Sequence, residues 1–267
     1  MTRRRIVKRR PMRLRLRAKL ILLGLALLLL YLFLRTPTPV TYAITAPNPD
    51  QFWETTNMDL HDNGQKIIWL DAGHGGFDVG TYAVINGLRV YEKDITLAIV
   101  LKAYELFQES NLVQVFLTRK DDSYVNLASR PALWNEGSAD LMVSVHVDFY
   151  DGPTAQAVSG IQVNYCQNKI GNTGRTNITD AQFAQIMQTQ LINRTGARDR
   201  QIRGDREFVI PTDSTMPAIL IEAGFMSNRN ELAKLLTPNY QMLIAKAIYN
   251  GILEAIALQS PSAVQPL

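Results

Sequence analysis

Four side chains in this 267-residue sequence are of the types used in metal-assisted hydrolysis, and each falls where one regular pattern gives way to the next. His74 sits in Asp71-Ala72-Gly73-His74-Gly75-Gly76, directly after the apolar run Lys66-Ile67-Ile68-Trp69-Leu70. His146 ends a second run, in Ser144-Val145-His146-Val147-Asp148. Glu222 follows a third, Ala218-Ile219-Leu220-Ile221, and leads into Ala223-Gly224-Phe225. Glu92, in Tyr91-Glu92-Lys93-Asp94, opens a helical pattern. Two imidazoles and one carboxylate that leave a coordination position open make a catalytic zinc site. Such an ion polarises a carbonyl and activates water, and a second carboxylate can act as general base. Glycines around His74 let the backbone approach a ligand closely.

Each residue also has an ordinary structural reading. A histidine at a strand end can be a buried polar group that has found its partners. Glu92 near a helix start can complement the helix dipole, and Glu222 can cap the following turn. What favours chemistry is that all four fall at the same edge of one expected sheet.

That sheet is read from the hydrophobic pattern. Residues 141–145 and 218–221 are apolar on both faces, as strands buried in a mainly parallel sheet between helices are. Ligands bind at the carboxyl ends of such strands. Residues 66–70, 113–118, 141–146, 160–165, 208–210 and 218–222 read as strands. Residues 94–108, 126–136, 180–198 and 238–257 have helical spacing. No internal repeat is visible. The expected fold class is α/β, a three-layer sandwich with helices flanking a central sheet.

Charge divides the chain. The first nineteen residues hold ten basic side chains and no acidic one, which leaves 18 basic against 24 acidic in the remainder, a net −6. The pI of 9.2 therefore reflects the leader, and a nucleic-acid partner is not expected. Fifteen uncharged residues come next, Leu20 to Leu34, closed by Arg35, Pro37 and Pro39. A basic segment before an apolar one is an export signal. Fifteen helical residues make about 22 Å, short of a hydrocarbon core about 30 Å thick, although Lys19 and Arg35 can snorkel. Thr41-Tyr42-Ala43 is a poor cleavage site. The expected organisation is a cytoplasmic leader over 1–19, a transmembrane anchor or signal h-region over 20–34, a Pro-rich linker over 35–65 and a catalytic domain over 66–260. His61 lies in the linker and carries no role. Cys166 is the only cysteine, so no intramolecular disulfide forms; it reads as a packing residue.

Taken together, Leu70-Asp71-Ala72-Gly73-His74-Gly75-Gly76, Tyr91-Glu92-Lys93-Asp94, Leu117-Thr118-Arg119, Ser144-Val145-His146-Val147-Asp148 and Ile221-Glu222-Ala223-Gly224-Phe225-Met226-Ser227-Asn228 resemble the zinc-dependent N-acetylmuramoyl-L-alanine amidases, in that family's order. The resemblance covers Ile67 to the final helix. It implies that His74, Glu92 and His146 ligate Zn2+, that Glu222 is the catalytic carboxylate, and that the sheet is mixed with about six strands. The implied reaction is hydrolysis of the amide between N-acetylmuramic acid and L-alanine in peptidoglycan, in the bacterial cell envelope. Val147 and Phe149 stand where small residues are usual in the family, which implies a narrower cleft. Regulated members insert an inhibitory helix; the thirteen residues 167–179 are too short and polar for one. No feature identifies an activator protein. Arg119 and Arg130 match family positions; they could meet substrate carboxylates through a planar fork or pair structurally with Asp121, Asp122 or Asp140. Two further readings stay open: a zinc carboxypeptidase or aminopeptidase, though the chain lacks the short H-x-x-E and H-E-x-x-H motifs, and a non-catalytic, membrane-tethered wall-binding module.

Overall fold

The computed structural model describes residues 65–108, 110–167, 169, 177–205 and 209–258. The leader, the apolar segment, the linker up to residue 64 with His61, residues 168 and 170–176 of the 167–179 stretch, and the last residues of the expected catalytic domain lie outside them. Among the described residues no helix is long and apolar enough to cross a membrane.

The strands are β1 (Lys66–Ala72), β2 (Tyr82–Ile85), β3 (Leu88–Tyr91), β4 (Val113–Leu117), β5 (Leu141–Asp148), β6 (Ile161–Cys166), β7 (Asp199–Asp205) and β8 (Ala218–Phe225). The helices are α1 (Glu92–Phe107), α2 (Arg130–Glu136), α3 (Asp180–Thr195), α4 (Val209–Asp213), α5 (Arg229–Leu235) and α6 (Pro238–Ala257). Six strands form one sheet in the order β4-β1-β5-β8-β6-β7. Neighbours are parallel except β8 and β6, which are antiparallel. The sheet is thus mixed and mainly parallel, as the resemblance implied.

The double-faced apolar runs explain the layering. Successive side chains of a strand point to opposite faces. Ile68 and Leu70 enter a core with Ile95, Ile99, Phe183, Met187 and Ile248, on the side where α6 packs against α1 and α3. Ile67 and Trp69 enter a second core with Trp134, Met142 and Met216 on the other side. Cys166 is buried and free.

Three expected elements differ. The helix expected over 180–198 stops at Thr195, because Gly196 adopts a left-handed conformation (φ 64°) that terminates it. The chain then enters β7, an edge strand of alternating burial. The strand expected over 208–210 is not formed: Val209 and Ile210 begin α4, and Phe208 lies outside the described residues. The helix expected from 126 begins as a 3₁₀ turn, Leu127–Ser129, before α2.

The hairpin β2–β3 was not anticipated. Asn86 and Gly87 both have positive φ (50° and 79°), the geometry of a two-residue hairpin turn whose twist matches the strands. Its function in the fold is positional, because β3 runs straight into Glu92.

Candidate metal centre

Three elements bring the ligand candidates together. β1 ends at Ala72, and Gly73 comes next with its N–H donating 3.0 Å to Val145 O of the neighbouring strand β5. His74 then turns into the left-handed region (φ 62°), followed by Gly75 (φ 136°) and Gly76 (φ 60°). Only glycine takes such conformations without cost, so the one non-glycine residue among them is strained. Strain of that kind persists where the surroundings over-determine it, and here two buried arginines do so.

Arg119 donates through Nε to Ala72 O (3.0 Å), through one terminal nitrogen to Asp121 O (2.9 Å), and through the other to Gly73 O (2.9 Å), Lys93 O (2.8 Å) and Thr96 Oγ1 (3.1 Å). Arg130 pairs with Asp71 and donates to Ala72 O (3.1 Å) and His74 O (2.8 Å). Both are buried, and their fans of N–H groups hold the backbone of the His74 loop. Asp71 also accepts from Ser144 Oγ at 2.5 Å. Burial opposes its ionisation, but Arg130 and the Ser144 hydroxyl outweigh that and hold its carboxyl below the ordinary range.

Glu92 is the hub. Its Oε1 lies 2.9 Å from His146 Nδ1, and its Oε2 lies 3.2 Å from His74 Nε2. The carboxylate also accepts main-chain N–H groups from Val147 (3.1 Å, Oε1) and Thr81 (2.9 Å, Oε2). Burial would keep it neutral, yet the hydrogen bonds and charges of His146 and His74 prevail and hold it well below the usual carboxylate range. The other ring nitrogen of His74, Nδ1, lies 2.9 Å from Asp78 Oδ1. Burial pushes the His74 pKa down, but contact with Glu92 and then Asp78 more than offsets it, so the imidazole titrates above 6.5.

The donor set fits a metal ion. One atom each from His74, Glu92 and His146 lies within 4.8 Å of the others, and this is a group able to hold an ion. Two nitrogens and one carboxylate oxygen are the donor chemistry of a catalytic metal site with an open position. Asp78 on His74 Nδ1 is the outer carboxylate that fixes tautomer and ring angle in such sites. Packing enforces the convergence: a Cβ at Gly80 would stand 2.5 Å from Glu92 Oε2, and one at Gly73 would collide with the His146 ring.

Glu222 sits on β8 in register with His146 on β5. Its Oε2 is buried and has no hydrogen-bond partner among the described residues. Burial, reinforced by the charges of Asp148 and Glu92, pushes its pKa well above the ordinary carboxylate value. Asp148, half-buried at the end of β5, is also raised, chiefly by burial and against the opposing Phe149 N–H and Arg200. Val147 turns its side chain into the core, so of the two departures from the family pattern only Phe149 stands at the surface.

Sequence reasoning singled out His74, Glu92, His146 and Glu222, and the structure places all four at one sheet edge. It passed over Asp78, four residues after His74, whose spacing within a glycine-rich turn was the available signal. It also passed over Lys93 and Thr96, which brace the same loop from α1.

Fold and site together define a three-layer α/β hydrolase with a cluster suited to a metal at the carboxyl edge of its parallel strands. Residues 68–254 match the Amidase_3 family, N-acetylmuramoyl-L-alanine amidase. This chain belongs to that family. The germination-specific N-acetylmuramoyl-L-alanine amidase of Bacillus subtilis is 30% identical over 215 residues, covering 75% of this chain and 83% of that protein. The crystal structure of an N-acetylmuramoyl-L-alanine amidase from Clostridium difficile 630 superposes with a TM-score of 0.66 at 32% identity, covering 74% of this chain and 99% of that one. The CwlD amidase of Clostridioides difficile, solved in complex with the GerS lipoprotein, gives 0.63 at 31%, over 73% and 100%. The chain is therefore an amidase of peptidoglycan, a hydrolase of the cell envelope.

Proposed function

We propose that His74, Glu92 and His146 hold a zinc ion and that Glu222 is the general base and acid for cleavage of the bond between N-acetylmuramic acid and L-alanine. A bound zinc ion would supply Lewis acidity to the scissile carbonyl and lower the pKa of water. Glu222 takes a proton from the attacking water and hands it to the departing nitrogen, which leaves poorly as an anion. His74 is held by Asp78, and His146 and Glu92 by each other, so Glu222 alone of the four keeps an unengaged oxygen. That buried, unpartnered Oε2 beside the His146 rung carries the reading. Asp71, Arg119 and Arg130 act beneath the site, by fixing the loop that presents His74.

The basic leader and residues 20–34 support attachment to the inner membrane with the catalytic domain outside the cytoplasm. Fractionation of cells expressing the full chain tests this: recovery solely as a soluble form beginning near Ile44 would show a cleaved signal instead.

The chemistry is tested by digesting purified peptidoglycan with the full-length protein and analysing the products by mass spectrometry, with metal content measured on the same sample. Released stem peptides beginning with L-alanine, and about one zinc per chain, are expected. Cleavage only within free peptides would overturn the reaction. Full activity after complete removal of metal would overturn the mechanism.

A further inference from the structure

Phe77 stands between His74 and Asp78 in the loop after β1, and it is 79% exposed. It is not a loose side chain. Its ring stacks on Tyr124, centroids 4.0 Å apart and planes at 29°. The two loops that carry the rings are tied together beneath them. Gly76 N–H donates to Asp122 Oδ1 (2.9 Å), while Lys93 Nζ donates to Gly76 O (2.9 Å) and Asp122 Oδ2 (2.5 Å). Gly76 itself lies so close to Tyr124 that a Cβ there would stand 2.9 Å from the tyrosine's own. The result is a fixed, solvent-facing aromatic surface three residues from a metal-ligand candidate.

Its surroundings narrow what it can bind. The loops extend from β1 and β4, the pair at one edge of the sheet. They also carry Asp78, Asp121 and Asp122 beside the exposed Lys120; Asp122 is paired with Lys93, and Asp78 and Asp122 both keep substantial side-chain exposure. The opposite edge of the sheet is β7, whose Arg200 and Arg203 are matched by Asp199 and Asp205, with Arg203 paired to Asp205 at 2.6 Å. Charge does not separate the two edges; the exposed aromatic pair does, and of the two parts of a peptidoglycan substrate it suits the uncharged one. In the intact strand the lactyl carboxyl is tied up in the amide, so the glycan is uncharged, whereas the peptide carries free carboxylates.

We propose that Phe77 and Tyr124 form a saccharide subsite that seats a hexosamine ring of the glycan beside the scissile amide. This rests on the amidase reading above. An aromatic face, negative at its centre, suits the C–H face of a pyranose and buries it from water. The neighbouring carboxylates accept hydrogen bonds from sugar hydroxyls. The glycan consequently lies over the β1–β4 edge.

Two measurements on the full-length protein test the subsite. The first is binding of tetra-N-acetylchitotetraose, an uncharged hexosamine oligomer without the scissile bond. Phe77→Ala should weaken it about tenfold, the scale of one aromatic face withdrawn from burial, and Phe77→Trp should restore it. The second compares kcat/KM on a disaccharide-peptide with that on the same peptide bearing only a D-lactoyl group. Phe77→Ala should lower the ratio about tenfold through KM. Unchanged chitotetraose binding in both Phe77→Ala and Tyr124→Ala, or loss of L-Ala-D-Glu binding in its place, would overturn the subsite. Phe77-dependent saccharide binding in a protein that releases no L-alanine stems would leave the subsite standing and overturn the amidase chemistry, so the two failures are distinct.

Discussion

His146 and Glu222 are register partners on the neighbouring parallel strands β5 and β8. Neighbouring parallel strands lie about 4.8 Å apart and direct register-matched side chains to the same face. The pair is nevertheless unlike in its engagements. His146 is tied to Glu92 at 2.9 Å, whereas Glu222 Oε2 is sealed from solvent with nothing to accept from. A buried carboxylate without a partner costs several kcal/mol as an anion, which favours the neutral form in the metal-free fold; a cation held by His74, Glu92 and His146 would favour the ionised form that acts as base. Two carboxylates within one site are thus pushed in opposite directions, Glu92 down and Glu222 up. That separation is how an active site assigns one group to hold a cation and another to move protons.

Glu222→Gln separates those roles. Turnover should fall by about 10²–10⁴-fold, the contribution of a positioned general base, while metal content stays near wild type. Loss of metal in this variant would make Glu222 a ligand. Stability should move the other way. Folding raises the Glu222 pKa above 4.5, so the folded chain binds its proton more tightly and the metal-free protein loses stability as pH climbs past that value. Metal-free Glu222→Gln should therefore unfold at a higher temperature than wild type at pH 7, with the gap closing below about pH 4. Calorimetry at both pH values checks it.

Metal loading should be sensitive to acid at an unusually high pH. A ligating imidazole must shed its proton, and contact with Glu92 and Asp78 makes that harder for His74. For the metal-free fold the signs are opposite at the two residues. The stabilisation from His74 is complete below 6.5 and lost as pH rises through its higher folded value. That from Glu92 is present above 4.5 and lost only in strong acid. Zinc titrations from pH 5.5 to 8.5 should show affinity declining from above about 6.5, the pKa of free imidazole. A decline confined to the carboxylate range would contradict this. The double substitution His74→Ala, His146→Ala should bind no zinc; full occupancy in it would remove the assignment.

The sequence carried most of the site and rather less of the fold. β1, β5 and β8 were legible because burial on both faces leaves no alternative to continuous apolar runs such as Ile67-Ile68-Trp69-Leu70. His74, His146 and Glu222 at their ends could be placed from those runs, and Glu92 from the helical pattern that it opens. β7 was not legible: Asp199–Asp205 is a polar edge strand, and its backbone includes Gln201 in a left-handed conformation (φ 64°) beside a register shift. The stop at Gly196 was readable, as was the Asn86-Gly87 turn, but neither lies in a strong hydrophobic pattern. The setting of Arg119 and Arg130 was beyond reach for a different reason. Residue type and spacing show that an arginine can meet a carboxylate; only the folded chain shows that these guanidinium groups are buried under the His74 loop.

That setting has its own consequence for stability. Arg130→Ala would leave Asp71 buried as an uncompensated charge and free the carbonyls of Ala72 and His74. Removing one partner of a buried pair costs about 3–5 kcal/mol, a large part of the stability of an ordinary domain. Arg130→Ala should lower the unfolding free energy by that amount, measured in urea on the metal-free protein. The double substitution Arg130→Met, Asp71→Asn should recover part of it, because the buried charge goes with its partner. Equal destabilisation by the single and double variants would place the cost in the lost carbonyl contacts alone.

Gly73 and Gly80 test whether the centre is built by packing as well as by its ligands. Gly80 has φ 65°, and a Cβ there would stand 2.5 Å from Glu92 Oε2 and 2.6 Å from His74 Cδ2. Alanine at Gly80 is thus penalised twice, in backbone conformation and in collision. Gly73 has no positive φ, so alanine is conformationally acceptable, and the only penalty is the clash with the His146 ring. The imidazole can relieve it by rotating away, at the expense of its 2.9 Å contact with Glu92. Gly73→Ala should therefore remain folded and lose most of its zinc affinity, at least the roughly 10–100-fold typical when a ligand's supporting contacts are removed. Gly80→Ala should lose both affinity and stability. Zinc titration and thermal denaturation of the two variants side by side would show the split. A Gly73→Ala protein with wild-type affinity would mean that His146 binds from a ring position that this packing does not constrain, and the ligand geometry would need to be drawn again from Glu92 outward.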